Sequence, residues 1–311
     1  MADNKRIDTP TGTETVGHEW DGIEELNTPL PRWWLWTFYV TIVWAIGYTV
    51  VYPAWPLLAN FTQGSFGWSS RGQLDEQLKQ QAAERAPITN AIEKIAIADL
   101  PNNPQLMSAA IEGGRAAFKV YCVQCHGSGA AGSKGYPNLN DDDWLWGGDI
   151  DTIHTTLVNG IRYPGNDLTR QSAMPAFGRD GILQPAEIQA LVGHVQAISH
   201  QGKDNARGAA LFATNCAVCH GPDGKGMREL GAPNLTDAIW LYGGDAATLT
   251  ETITNARAGV MPAWGKQLNP ATVKMLAAYV HSLGGGEAAP SPAPAADATA
   301  ATTEAANTTQ P

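Results

Sequence analysis

The chain has 311 residues, a formal net charge of −10, a charged fraction of only 16% and 11 tryptophans. The acidic balance argues against nucleic-acid binding, the length allows about two domains, and few charges with many tryptophans point beyond a plain soluble globule. Residues 1–32 hold three Lys/Arg against seven Asp/Glu and the stretch past Gly284 holds three acids, so the centre is nearly balanced and bulk charge identifies no partner there.

Residues 1–32 are polar and read as a mostly unstructured lead. No charged side chain occurs between Arg32 and Arg71. The apolar stretch at 33–56 is long enough as a helix to cross the roughly 30 Å of a bilayer core. Trp33, Trp34 and Trp36 cluster at one end and Tyr52 and Trp55 at the other, as in interfacial aromatic belts, and Pro53 and Pro56 suit a helix end. A cleaved signal peptide would have a short basic lead and a shorter apolar run, and a buried core helix of this length would be unusual here. A single retained span is the expectation. Residues 57–107 read as a helical connector broken by Pro87, Pro101 and Pro104.

The remainder is a duplication. CVQCH at 122–126 recurs as CAVCH at 216–220, and these two motifs use all four cysteines. Gly114 and Phe118 correspond to Gly208 and Phe212. PNL at 137–139 matches 233–235, WLWGGD at 144–149 matches WLYGGD at 240–245, and MPAFG at 174–178 matches MPAWG at 261–265. Each copy closes with a helical pattern, Pro185 to Ile198 and Pro270 to Leu283. Beyond Gly284 the Ala/Pro/Thr-rich sequence reads as a disordered tail.

Two thiols three positions apart, followed at once by an imidazole, can bind a haem by both vinyl arms and ligate its iron. A shared zinc site would need both pairs on one metal, and a redox dithiol would not need the histidines. Cys122, Cys125, Cys216 and Cys219 are therefore read as covalent attachment points for two haem c groups, with His126 and His220 as iron ligands. Met174 and Met261, in matching five-residue contexts, are read as the opposite axial ligands, whose soft thioethers raise the reduction potential. Met107, Met227 and Met275 lack that context. Six-coordinate iron offers no position for substrate, so each centre is an electron relay and no catalytic residue is expected. Trp144, Trp146, Trp240, Tyr242, Phe177 and Trp264 are expected to wall the haems. Asp141, Asp142 and Asp143 are expected to form a solvated loop, with steering of a basic electron donor as the alternative. His154 reads as a surface histidine, and His18, His200 and His281 show no ligand pattern.

Each copy resembles a class I cytochrome c domain, with an N-terminal helix running into the attachment motif and a C-terminal helix crossing it. Gly114 and Gly208 would permit that crossing, and Tyr279 supplies the aromatic on the second closing helix where the first has His194. The fold class is thus all-α, one N-terminal transmembrane helix followed by two tandem class I cytochrome c domains. The divisions are a cytoplasmic lead 1–32, a transmembrane helix 33–56, a connector 57–107, cytochrome domains 108–200 and 204–284, and a tail 285–311. Because c-type haem is attached outside the cytoplasm, the N-terminus would be cytoplasmic and the haem domains periplasmic, on a bacterial inner membrane.

This architecture, together with GHEWDGIEELNTPLPRWW at 17–34, resembles the diheme subunit of the cbb3-type cytochrome c oxidases, the CcoP or FixP family. The resemblance covers nearly the whole chain apart from the tail. It implies a chain that is not an enzyme by itself but an electron-transfer subunit of a proton-pumping respiratory oxidase. Electrons from a donor cytochrome c would enter here and pass to the monoheme and catalytic subunits, where oxygen is reduced to water. The lead and span would dock on the catalytic subunit. The alternatives are a free-standing diheme shuttle and, against the intact Met-Pro pairs, a diheme peroxidase.

Overall fold

The computed structural model describes residues 5–203 and 205–288, so most of the expected tail, 289–311, lies outside the described residues. Two compact units divide the chain, Met1–Glu84 and Arg85–Pro311.

In the first unit the lead is not unstructured. Strands β1 (Thr15–Trp20) and β2 (Ile23–Leu26) pair antiparallel, with Trp20 opposite Ile23. Asp21 and Gly22 form the two-residue turn, at φ 50° and 85°. Positive φ at both positions matches the twist of a hairpin, and Asp-Gly supplies it at low cost.

Helix α1 (Arg32–Val51) has none of its residues buried by the protein. The hydroxyls of Thr37, Thr41 and Thr49 donate to Trp33 O, Phe38 O and Ile46 O at 3.0, 2.7 and 2.8 Å, so their polar atoms need no water. At 20 residues it is long and apolar enough to cross a membrane. It ends at Val51 rather than at 56, because Tyr52 precedes Pro53 and takes an extended conformation, φ −114° and ψ 158°. The returning chain satisfies the last carbonyls: Ser65 N–H donates to Val50 O and Phe66 N–H to Val51 O, at 3.0 and 3.1 Å. Tyr52 stacks on Tyr48 and meets Phe66 and Trp68 edge-on, an aromatic cluster at the end where a belt was expected. Helix α2 (Ser70–Lys94) contains Pro87 in its interior, so this proline does not break the connector. Pro101 sits in a short 3₁₀ turn, Ile97–Asn102.

The second unit is mostly helical: α3 (Pro104–Tyr121), α4 (Val123–His126), α5 (Ile150–Asn159), α6 (Pro185–Ile198), α7 (Ala206–Asn215), α8 (Ala217–His220), α9 (Ala246–Asn255) and α10 (Pro270–His281). Asn103 caps α3 by accepting from Leu106 N–H, with Pro104 in the first turn, where its missing N–H costs nothing. The core of the first repeat also draws in residues that precede its expected start at 108. Ile92, Ile97 and Leu100 are already buried in the core containing Phe118 and Cys122.

The repeats are tandem along the chain but exchange their closing halves in space. Helix α3 of the first repeat packs on α10 of the second, and α7 of the second packs on α6 of the first. Likewise α5 packs on α10 and α9 on α6. One core joins Phe118, Cys122, Ile153 and Leu157 with Leu276, Ala277 and Val280; the other joins Phe212 and Leu249 with Phe177, Leu191 and Val195. The expectation that 108–200 and 204–284 each close on themselves is thereby corrected. The cause is local: residues 199–205 are all that separate α6 from α7, and two helices so joined fold back on one another. That leaves α3 to be covered by α10.

Glycine makes both crossings possible. A Cβ on Gly114 would lie 2.0 Å from Met275 O, and one on Gly208 would lie 2.2 Å from Ala190 O. Phe118 meets Tyr279 edge-on at 5.3 Å and Phe212 meets His194 at 5.1 Å, so the tyrosine and the histidine serve the repeat opposite to the one they belong to. In a double-mutant cycle on thermal or denaturant stability, Phe118→Leu and Tyr279→Leu should couple by about 0.5–1.5 kcal/mol. Phe118→Leu and His194→Leu should instead be additive.

Candidate haem sites

Each attachment motif occupies one short helical turn that continues directly from a longer helix. Cys122 caps the end of α3, its N–H donating to Phe118 O at 2.9 Å, and Cys216 repeats this on Phe212 O at 2.8 Å. His126 and His220 N–H groups then donate to the carbonyls of Cys122 and Cys216, both at 2.9 Å. The two thiols and the imidazole are thus fixed by one turn of backbone at each site. Glycines follow at φ 77° and 76°, Gly127 and Gly221, where the chain leaves the turn in a conformation that side chains disfavour.

The imidazoles are oriented by a second contact. His126 Nδ1 lies 3.1 Å from Pro137 O and His220 Nδ1 lies 3.0 Å from Pro233 O. A carbonyl can only accept, so Nδ1 carries the proton and Nε2 is left with its lone pair for a metal. Burial lowers the pKa of both histidines, with the proline carbonyls opposing it, which favours the neutral ligating form. Burial pushes the Cys122 and Cys216 thiols up to about 11, and the neighbouring Cys125 and Cys219 add to the shift.

The two methionines are brought to these centres crosswise. Met261 and Trp264 pack on the core of Phe118 and Cys122, whereas Met174 packs on the core of Phe212 together with Cys216. Backbone bonds hold them there: Met261 and Ile161 exchange N–H···O bonds at 2.9 and 3.0 Å, and Phe177 N–H donates to Ile253 O at 3.1 Å. Trp144 and Trp240 pack on the first and second core respectively. Trp144 Nε1 donates to Gly285 O at 2.6 Å, whereas the buried Trp240 Nε1 has no acceptor among the described residues. A paired thiol and imidazole with a neutral sulfur in the same core, and an orphaned indole N–H beside them, fit a covalently attached haem that carries its own acceptor groups.

Further residues join the centres that sequence reasoning did not single out. Arg170 and Arg257 each stand four residues before a methionine, a coincidence visible in the repeat alignment. Gly135 and Gly231, at equivalent positions, receive the rings of Tyr242 and Trp146 from the opposite repeat, and a Cβ at either position would press on the ring. The first residues of the expected disordered tail are bonded. Glu287 pairs with Arg228 and accepts from Gly148 N–H at 2.8 Å, and its own N–H donates to Gly148 O at 2.9 Å. His281 lies with Nε2 3.0 Å from Glu287 O, and His154 is half-buried rather than on the surface. Burial, followed by Lys274, lowers the His154 pKa.

The acidic run is only partly a solvated loop. Asp142 is exposed, but Asp143 is half-buried, and burial followed by Asp237, Asp141 and Asp142 raises its pKa to about 6, against a pull from Arg228. The folded chain therefore holds this proton more tightly than the unfolded chain, whose value is 3.8. Stability contributed by Asp143 is full below about pH 4 and is lost as pH rises through about 6. Asp143→Asn should raise stability at pH 7 by about 1 kcal/mol after allowance for screening. The gain should vanish at pH 4, as read by thermal unfolding at the two pH values.

Residues 12–59 match the sequence model of the N-terminal domain of cytochrome oxidase-cbb3, FixP. Residues 109–195 and 203–280 each match that of cytochrome c oxidase, cbb3-type, subunit III. The chain is 54% identical over 291 residues to the cbb3-type cytochrome c oxidase subunit FixP of Bradyrhizobium sp. ORS 278, covering 92% of this chain and 100% of that protein. It is 54% identical over 281 residues to the subunit CcoP of Cereibacter sphaeroides, covering 89% and 97%. Against the FixP of Rhizobium meliloti identity is 49% over 292 residues, covering 92% and 100%.

Proposed function

The chain belongs to the family of cbb3-type cytochrome c oxidase subunit III, the FixP and CcoP proteins, and on that premise we propose how its residues serve electron transfer in the oxidase complex. It is a membrane-anchored electron-transfer subunit and not itself the catalyst. In our reading two c-type haems are held, one by Cys122, Cys125 and His126 and the other by Cys216, Cys219 and His220. The methionine partners would be exchanged, so that Met261 would help to hold the haem of His126 and Met174 that of His220. The observation that carries this is the placing of each methionine in the core of the opposite attachment motif.

The bound group supplies one-electron exchange between ferric and ferrous iron. The residues supply the rest. His126 and His220 present Nε2 because Pro137 and Pro233 hold Nδ1. Met174 and Met261 contribute a neutral thioether that favours the ferrous state. Phe118, Phe212, Trp144 and Trp240 exclude water from the cores. The chain accepts electrons from a donor cytochrome c and hands them to the monoheme and catalytic subunits, which reduce oxygen and pump protons. Haem attachment outside the cytoplasm supports an N-terminus on the cytoplasmic side and haem units in the periplasm, with the hairpin and α1 docked on the catalytic subunit.

Purification in mild detergent through this chain should bring down b-type haem, copper and oxygen uptake from reduced cytochrome c. Recovery of c-type haem alone would mark a free-standing shuttle. The exchange of ligands has its own test. In a Cys216→Ala/Cys219→Ala background, where only the first haem is attached, Met261→His should lower the remaining midpoint potential. Met174→His should leave it unmoved, and the opposite pattern would restore ligation within each repeat.

A further inference from the structure

Arg170 and Arg257 occupy the same place in the two halves of the haem region, and they share an aromatic ring beneath the guanidinium and a threonine acceptor for Nε. Arg170 lies over the ring of Trp146 at 4.9 Å and Arg257 over that of Tyr242 at 4.3 Å. Arg170 Nε donates to Thr156 Oγ1 at 3.0 Å and Arg257 Nε to Thr252 Oγ1 at 3.2 Å. Each threonine hydroxyl donates in turn to the carbonyl four residues back, Thr152 O and Thr248 O, both at 2.9 Å. Arg257 also donates from Nη2 to Thr248 O at 2.9 Å and to Thr252 Oγ1.

What both lack is an anion. Among the described residues no carboxylate lies within 4 Å of either guanidinium. The two acids near α5 and α9, Asp149 and Asp245, are used as helix caps, accepting from Thr152 and Thr248 N–H at 3.0 Å. Asp149 attracts Arg170 only from beyond ion-pair distance, and burial lowers the Arg170 pKa. Among the described residues the two Nη groups of Arg170 have no protein acceptor. A half-buried cation on an aromatic face, bonded only to neutral acceptors, is costly unless an anion arrives. That the ring, the threonine acceptor and the missing carboxylate recur at both positions makes a chance surface contact a poor account of them.

Both rings beneath the guanidinia lie at the contact between the two haem units. Trp146 reaches Gly231 and Tyr242 reaches Gly135. Trp146 and Tyr242 are also only two residues from Trp144 and Trp240, which pack on the first and second core.

We infer that Arg170 and Arg257 are the counter-charges of the two haems, Arg170 for the centre of His126 and Arg257 for that of His220, pairing with haem carboxylates and raising the potential of each centre. A positive charge nearby favours the less positive, ferrous iron, so its removal lowers the potential. Each arginine thus tunes the centre whose helix, α5 or α9, it is bonded to. The methionine four residues further on belongs to the other centre. The inference rests on the haem reading given above.

The test is a redox titration of the full chain, purified with its haem in mild detergent and followed by the absorbance of reduced c-type haem. Arg170→Gln keeps a planar group on Trp146 without the charge. It should lower one midpoint, so that the ferrous-to-ferric ratio at fixed ambient potential falls about tenfold, about 59 mV for one electron. Arg257→Gln should lower the other midpoint. Arg170→Lys and Arg257→Lys should recover most of the shift, which a packing role alone would not produce. Unmoved midpoints in the Gln variants, or equal shifts in Gln and Lys variants, would overturn the inference. The two positions are tested separately, so poor recovery of one variant leaves the other to decide. Absence of c-type haem from the unaltered chain, read by its pyridine haemochrome spectrum, would overturn the haem reading and this inference together. Attached haem with unmoved potentials would overturn this inference alone.

Discussion

The haem region depends on two helix crossings in which backbone meets backbone. Any side chain at Gly114 or Gly208 would enter the carbonyl of the helix it crosses. The crossings are therefore fixed in position, and whatever is attached to α10 or α6 is fixed with them. Each closing helix is preceded in sequence by its methionine loop, so choosing the helix partner also chooses the methionine partner. The short link from α6 to α7 makes that choice, and it makes it for both centres at once. Two sequence repeats consequently form one cooperative body, since neither attachment motif can be enclosed until the other repeat has supplied its second half. A tandem pair of self-contained domains would permit one centre to open while the other stayed closed.

Much of the chemistry was legible because it is local. A CxxCH motif places its three donors within one helical turn regardless of tertiary structure, and the uncharged apolar run that begins at Trp33 is long enough to cross a membrane whatever follows it. The pairing of halves was not legible, because duplication makes it degenerate. Gly114 and Gly208, Tyr279 and His194, Met261 and Met174 satisfy the same pattern whether each repeat closes on itself or on its neighbour. What separates the alternatives is the length of a connection, which carries no residue-type signal. The hairpin at 15–26 was hidden for a different reason. Its strands are too short and polar to alternate clearly, and only Asp21-Gly22 marks the turn. Pro87 shows tertiary context overriding a local rule, because a helix interior can absorb one missing N–H when the rest of its length is favourable.

The two centres are close copies but not equal. At the first, the segment just after α10 is drawn back across the WLWGGD turn: Gly285 O takes the Trp144 indole, Glu287 takes the Gly148 N–H, and the same carboxylate reaches Arg228 on the other repeat. At the second, the equivalent Trp240 Nε1 is buried and has no partner among the described residues. Behind one attachment helix stands Tyr279 and behind the other His194. In the proposed reading, identical ligand sets in a shared body would leave nothing to direct an electron from one iron to the other. Differences in the polar groups around each set, in a medium of low dielectric, are the means by which a protein gives equal ligands unequal potentials. Duplication accounts for the presence of two attachment motifs, and the asymmetry beyond Gly284 and at position 194 distinguishes them.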